Sequence, residues 1–327
     1  VSEFDLIRQY FHRSSPSADL GVGDDAAIIS VGAGKQLVVS TDMLVEGRHF
    51  FADVDPFLLG HKSLAVNLSD IAAMGATPKW ATLAIALPNV NHDWLARFSA
   101  GFFALAQQHG VDLVGGDTTG GPLTISIQIM GEVDTGLAIC RHTAQPMDDI
   151  WVSGCLGDAA LGLHALQGKL VLKDTEHLTF LRDRLERPVP RCELGLALVG
   201  KANAMLDISD GLAGDLGHIA QKSHLTAEVD VSLVPVSDVA AAYEDYAGFW
   251  PCILAGGDDY ELCFTAPCEQ RDALLEVSER LNIRLTRIGR MQAEPASRPV
   301  IWTRHHQPVH IELQAFDHFS PADKAES

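Results

Sequence analysis

The chain has 327 residues, 47% of them hydrophobic, and a formal net charge of −19 at pH 7. That length suits two domains, and the apolar share is enough for two cores, which excludes wholesale disorder. The acidic excess with no basic run excludes nucleic-acid binding driven by charge, and no apolar run reaches the roughly 18 residues needed to cross a bilayer.

Glu3, Asp5, Arg8 and Arg13 interrupt the apolar residues of the first segment, so no signal peptide is expected and the protein reads as cytoplasmic. Residues 6–11 read as a short helix. Residues 26–31 and 36–42 read as strands joined by a Gly-rich turn, and 56–75 as a long helix with helical apolar spacing that Gly75 ends. A strand is expected at 80–86, an amphipathic helix at 94–108, and strands at 111–114 and 123–133. A turn-rich boundary falls within 134–149, giving domains at 1–137 and 148–320 and a tail at 321–327. In the second domain, strands are expected at 150–153, 204–208, 260–265 and 284–288, and helices at 159–166, 191–199, 212–222 and 270–281. The six cysteines form no C-x-x-C pair and read as buried, reduced thiols.

Three short motifs recur in the same order in both halves. Gly23-Asp24-Asp25-Ala26-Ala27, Leu68-Ser69-Asp70 and Gly115-Gly116-Asp117 are followed by Gly157-Asp158-Ala159-Ala160, Ile208-Ser209-Asp210 and Gly256-Gly257-Asp258. The matching order points to a duplication and to two α+β domains of related fold.

These motifs carry the acids whose chemistry matters. Asp25 sits in a Gly-flanked pair that also fits a plain turn. Ser40-Thr41-Asp42 sets two hydroxyls and a carboxylate in a row at an expected strand end, as metal ligands or as a cap. Asp70 interrupts an apolar helix, where a carboxylate is costly unless a cation or a donor meets it. The glycines before Asp117 let backbone N–H groups approach a phosphate, or simply make a tight turn. Asp207-Ile208-Ser209-Asp210-Gly211 puts two carboxylates and a hydroxyl where a strand opens into a helix. Arg141 is a candidate phosphate cation or a surface residue, and His49 a candidate ligand-contacting group or an exposed histidine. An acidic site reaches a polyphosphate only through Mg²⁺, which takes carboxylate, hydroxyl and phosphate oxygens together. Phosphoryl transfer is the chemistry this suits. The P-loop and protein-kinase motifs are both missing.

The stretches 21–27, 40–50, 67–78, 115–119, 207–212, 256–262 and 316–319 resemble the thiamine-monophosphate kinase family, of the aminoimidazole ribonucleotide synthetase-like superfamily. The resemblance covers nearly the whole chain. It implies an α/β (α+β) protein of two related domains whose N-terminal sheet forms a barrel across a homodimer, with ATP as co-substrate at the subunit interface. It further implies several Mg²⁺ ions and direct transfer of the γ-phosphate to thiamine monophosphate. By the same resemblance Asp25, Ser40, Thr41, Asp42, Asp70, Asp117, Asp207 and Asp210 correspond to magnesium ligands, with Asp42, Asp70 and Asp210 central to catalysis. Gly116, Asp117, Arg141 and Ser209 correspond to ATP contacts, and His49, Asp258 and Phe316 to contacts with the phosphate acceptor. Asp258 stands where the family often has Glu. No Cys precedes Cys140, which speaks against a selenophosphate synthetase, and the complete acid set speaks against a regulator that has lost catalysis.

Overall fold

The computed structural model describes residues 2–294, 297–305, 307–309, 311 and 313. The chain forms two compact units, Val1–Cys140 with Glu186–Ala202, and Arg141–Leu185 with Asn203–Ser327. No helix among the described residues is long and apolar enough to cross a membrane.

The first unit opens with a turn of helix, α1 (Glu3–Leu6), capped reciprocally by Ser2 and Asp5, and widens into a π-helical turn at Ile7–Phe11. Its sheet is built from β1 (Lys35–Val45), β2 (Thr77–Leu87), β3 (Asp112–Gly120) and β4 (Thr124–Asp134), in the order β1-β4-β2-β3. β4 runs antiparallel to both β1 and β2, while β2 and β3 are parallel. α2 (Pro56–Ala73) starts where Asp55 accepts the Phe57 N–H, a cap that Arg97 holds in place. Gly75 follows the helix end with φ 66°. α3 (His92–His109) is capped by Asn91 and ends at the left-handed Gly110. A Cβ at Gly60 would lie 2.0 Å from the Phe98 carbonyl oxygen, and one at Gly101 would lie 1.9 Å from that of Phe57. The two helix backbones therefore touch, and only glycine permits the contact on either side.

Strand periodicity gives β1 two faces. Ser40, Asp42 and Leu44 turn toward α2, whereas Leu37, Val39 and Met43 are 40%, 49% and 57% exposed on the other face. On that outer face, Trp80, Val114 and Met130 are covered by Ala18, Ala27 and Ile29, and the Trp80 indole donates to the Ser17 carbonyl. Residues 26–31 are thus not the expected strand. They make only the Leu20–Ile28 bridge, because Gly21, Gly23 and the Asp pair turn the chain away and Ala27 and Ile29 spend their apolar surface on Trp80. The helix Cys192–Leu198, which the sequence reading places in the second domain, belongs to this first unit. A Cβ at Gly195 would meet the Ala72 carbonyl at 2.1 Å, so it lies directly on α2.

The second unit holds a seven-stranded sheet of β5 (Asp149–Ser153), β6 (Ala204–Ile208), β7 (Thr226–Asp230), β8 (Glu261–Ala266), β9 (Leu285–Gln292), β10 (Val300–Arg304) and β11 (Gln307–Pro308). The order is β11-β10-β7-β9-β5-β8-β6. Among the described residues, only β10 and β7 pair in parallel in this sheet. Its helices are α4 (Asp158–Leu166), α5 (Thr175–Glu186), then, with Cys192–Leu198 counted as α6, α7 (Leu212–Lys222), α8 (Asp238–Ala241), α9 (Phe249–Ala255) and α10 (Arg271–Leu281). Leu206, Ile208, Leu216, Ile219, Val229 and Ile253 lie in one buried cluster between sheet and helices. The repeated tripeptides do not fall in like elements. Leu68-Ser69-Asp70 lies inside α2 but Ile208-Ser209-Asp210 leaves a strand, and Gly115-Gly116-Asp117 lies in β3 but Gly256-Gly257-Asp258 follows a helix.

Candidate active site

In the first unit the acids gather at two places. The first joins β1 to α2. Ser40 Oγ donates to Asp70 Oδ2 at 2.5 Å, and the Asp42 N–H donates to Asn67 Oδ1 at 3.2 Å. Asn67 is in turn anchored to the Ser63 carbonyl at 3.0 Å. Ser40, Asp42 and Asp70 are all half-buried on this face. Thr41, with side chains alternating along the strand, is exposed on the opposite face and does not join them. β1 also runs on to Val45, so the three residues lie within the strand rather than at its end.

The second place is a cavity of about 560 Å³ lined by Asp24, Asp25, Gly115, Gly116, Asp117 and the apolar Phe4, Ile7 and Phe11, among others. Here the Gly-Gly-Asp motif is not a loop after a strand but part of β3. Gly116 pairs with Leu83 and Asp117 with Ala84. Gly116 has φ 150°, and a Cβ there would sit 1.8 Å from the Leu83 carbonyl oxygen, so this position admits no side chain. The Asp25 N–H donates to Asp24 Oδ1 at 2.9 Å, which shapes the exposed turn that carries both acids. Two strands, β4 and β2, stand between β1 and β3. Three inter-strand steps are about 14 Å, so Asp42 and Asp117 of one chain do not meet.

His49 follows β1 and is half-buried. Its Nδ1 accepts the Val45 N–H at 3.0 Å, which places the ring proton on Nε2 and makes that nitrogen a donor. The buried Lys62 reaches the His49 carbonyl at 3.5 Å.

The second unit brings Asp207, Ser209, Asp210 and Asp258 together at one corner. Asp207 is buried near the end of β6, Ser209 is half-buried and Asp210 exposed. The Asp258 N–H donates to the Ser209 carbonyl at 2.9 Å, and the Tyr260 N–H to that of Ile208 at 2.8 Å. Arg141 is exposed, and its carbonyl accepts from the Ser223 hydroxyl at 3.1 Å. Phe316 lies outside the described residues.

Several residues here escaped the sequence reading. Asp215, in α7, accepts the N–H groups of Ser209 and Asp210, and burial pushes its carboxyl up to about 6 against those bonds. Asp259 is buried and accepts the Gly157 N–H with both oxygens, and burial raises its carboxyl well above the usual carboxylate range. Asp158 and Glu261, also buried, share Arg184 at 3.8 and 3.3 Å and are held by Ser237 and Ser153. Asp158, Asp215 and Glu261 carry the signal that singled out Asp70, an acid against an apolar run, whereas Asp259, between Asp258 and Tyr260, does not.

Among the described residues, no three His, Cys, Asp or Glu side chains converge as a cage for a metal ion. Mg²⁺ does not require one, because it keeps waters and takes one or two carboxylates along with substrate phosphates. The donors at both places in the first unit are carboxylate and hydroxyl oxygens, the ligand type that suits it. The residues fit the ion.

Known proteins agree with this architecture. The AIR synthase related protein N-terminal domain matches residues 23–133, and the corresponding C-terminal domain matches residues 150–301. The two units are thus α/β domains of the AIR synthase related class. The thiamine-monophosphate kinase of Haemophilus influenzae is 43% identical over 324 residues, covering 98% of each chain. The crystal structure of thiamine-monophosphate kinase from Stenotrophomonas maltophilia matches with a TM-score of 0.82 and 46% identity, over 94% of this chain and 96% of that one. A ThiL chain complexed with AMPPCP and TMP matches with a TM-score of 0.75 and 30% identity, over 97% and 96%. The chain belongs to the thiamine-monophosphate kinase family.

Proposed function

We propose that this protein transfers the γ-phosphate of ATP to the phosphate of thiamine monophosphate, giving thiamine diphosphate and ADP in one in-line step. Similarity over nearly the whole chain to thiamine-monophosphate kinases, one of them complexed with an ATP analogue and TMP, supports the reaction. The observation on this chain that carries it is the cavity where Asp25 and Asp117 flank a β3 backbone stripped of side chains at Gly115 and Gly116. Such a wall suits a polyphosphate with its cation.

Bound Mg²⁺ would neutralise charge on the transferring phosphoryl group and hold the two anionic substrates together. Asp25, Ser40, Asp42, Asp70 and Asp117 of the first unit, and Asp207 and Asp210 of the second, are the residues that would hold the ions; the Thr41 hydroxyl, on the opposite face of β1, is left out of the set that the resemblance implies. Asp42, Asp70 and Asp210 act as the central carboxylates. Gly116, Asp117, Arg141 and Ser209 contact ATP, with Arg141 supplying a guanidinium to its phosphates. His49 offers its Nε2–H to the acceptor phosphate. Asp258, in the corner after α9, and Phe316 are, by the resemblance, further contacts of the acceptor. The acceptor needs no strong general base, because a phosphate monoester has lost its second proton (pKa roughly 6) at neutral pH. The active form is a cytoplasmic homodimer whose first-unit sheets close into a barrel. Two features support this: the bare apolar face of β1 and the separation of β1 from β3, which leaves Asp42 and Asp117 short of one another within a single chain. The domains are taken as 1–137 and 148–320, with Glu186–Ala202 of the second stretch folding into the first unit.

An ATP-dependent assay over a panel of phosphorylated metabolites tests the reading. Thiamine monophosphate should be the preferred acceptor, with inverted configuration at a chirally labelled γ-phosphate. Preference for another acceptor, or net retention through a phosphorylated side chain, would overturn it.

A further inference from the structure

Asp215 sits in the first part of α7, just beyond the corner Ser209-Asp210-Gly211, and is 6% exposed. One of its oxygens, Oδ2, accepts the backbone N–H of Ser209 at 3.1 Å and that of Asp210 at 3.0 Å. Two successive amides turned onto one oxygen fix the direction in which the chain leaves β6. Gly211 completes the corner with φ 108°, at a position where a Cβ would lie 2.6 Å from the Ala255 carbonyl carbon.

A second loop is stacked on this corner. The Ser209 carbonyl accepts from Asp258 and the Ile208 carbonyl from Tyr260. A Cβ at Gly257 would meet the Ser209 oxygen at 2.5 Å. Asp258 and Tyr260 both hold left-handed backbone, φ 69° and 50°. Conformations of that kind persist only where neighbouring contacts over-determine them, and two of those contacts, the bonds to the Ser209 and Ile208 carbonyls, come from the corner that Asp215 holds.

We infer that Asp215 is a positioning residue for phosphoryl transfer: its carboxylate sets the corner that presents Ser209 and Asp210, and through it the loop that presents Asp258. It touches neither substrate. The inference rests on the proposed kinase reading, in which Ser209 and Asp210 serve the nucleotide and its cation and Asp258 serves the acceptor. A stabilising acid in the first turn of a helix acts through the helix dipole or on the backbone N–H of the N-cap residue itself, here Gly211. Asp215 instead spends its oxygen on amides that precede the helix, and those amides belong to the residues in question.

The test compares Asp215→Ala, Asp215→Glu and Asp215→Asn in the full chain, by steady-state kinetics with Mg²⁺, ATP and thiamine monophosphate and by hydrogen exchange of the peptide amides around 207–212. Asp215→Ala removes the acceptor and Asp215→Glu displaces it by a methylene while keeping the charge. Both should raise the apparent KM for ATP and the Mg²⁺ concentration for half-maximal rate at least tenfold, and speed local exchange at least tenfold. Asp215→Asn keeps an acceptor oxygen and should recover most of the loss. If Asp215→Ala does not fold, Asp215→Glu carries the comparison. Loss of melting temperature and active fraction with unchanged KM and Mg²⁺ dependence would reduce Asp215 to a structural role and overturn the inference. A wild-type chain that does not phosphorylate thiamine monophosphate would sink the kinase reading instead, and the exchange data would still report whether Asp215 holds the corner.

Discussion

The Ser40 hydroxyl reaches the Asp70 carboxylate at 2.5 Å and so ties the edge strand β1 to the last turn of α2. The bond explains how a carboxylate is accommodated beside Leu68 and Ile71, both fully buried. It occupies one of the four lone-pair sites that a carboxylate offers. Asp70→Asn keeps an acceptor for Ser40 and removes the charge. It should therefore fold with a melting temperature near wild type while kcat falls at least a hundredfold, as loss of roughly 3 kcal/mol of transition-state stabilisation requires. Turnover within a few-fold of wild type would remove Asp70 from the proposed site.

The close approach of β3 to β2 makes a separate prediction. Gly116→Ala forces a Cβ against the Leu83 carbonyl and strains a backbone at φ 150°. A cost of about 2–4 kcal/mol is expected in urea unfolding. Gly115→Ala is the control, since its Cβ would find only Thr82 Cγ2 at 3.8 Å. Equal stability of the two variants would contradict the pairing described for β3.

Stability should also depend on pH through Asp259. Its folded carboxyl lies well above the ordinary value of 3.8, chiefly through burial. Between those two values the folded chain binds the proton that the unfolded chain has released. Stability from this group is therefore present at low pH and declines as pH rises through the window. Asp158, also raised by burial, adds to the same slope. Asp259→Asn still accepts the Gly157 N–H but cannot ionise, so its melting temperature should fall less than that of wild type between pH 5 and about 8. Parallel profiles would show that Asp259 does not titrate in this range.

The bare face of β1 predicts assembly. Light scattering should give twice the 35.2 kDa chain mass, and Val39→Glu, which puts a charge on a residue already 49% exposed, should shift the population toward monomer. A wild-type mass of 35.2 kDa across the micromolar range would count against the dimer.

Much of the fold was legible because it rests on local rules. α2, α3 and α7 announce themselves by apolar period and by capping or terminating residues, and the structure ends them within a residue or two of expectation. α5, α8, α9, β7 and β10 were not found. α9 (Phe-Trp-Pro-Cys-Ile-Leu-Ala) has no polar residue to show a period and carries a proline, β7 (Thr-Ala-Glu-Val-Asp) alternates over only five residues, and α5 is polar over most of its length. Long-range pairing decides such segments. The same limit applies at the site. Composition showed which acids were costly to bury, as at Asp70, but not that Thr41 faces away from Ser40 and Asp42, nor that Gly116 lies inside a strand. Those facts depend on register, which no single segment encodes.

The paired glycines of α2 and α3 bear on how Asp70 can move. Sliding α2 by one turn along α3 would replace Gly60 at the contact with Leu64 or Phe57, and neither fits where a single Cβ already meets a carbonyl at 2.0 Å. The two helices are keyed, with one axial setting and no neighbouring one. Within the first unit, adjustment of the proposed acids around Asp70 to an incoming nucleotide would then fall to the exposed 21–31 turn and to β1, with Asp70 as the fixed reference.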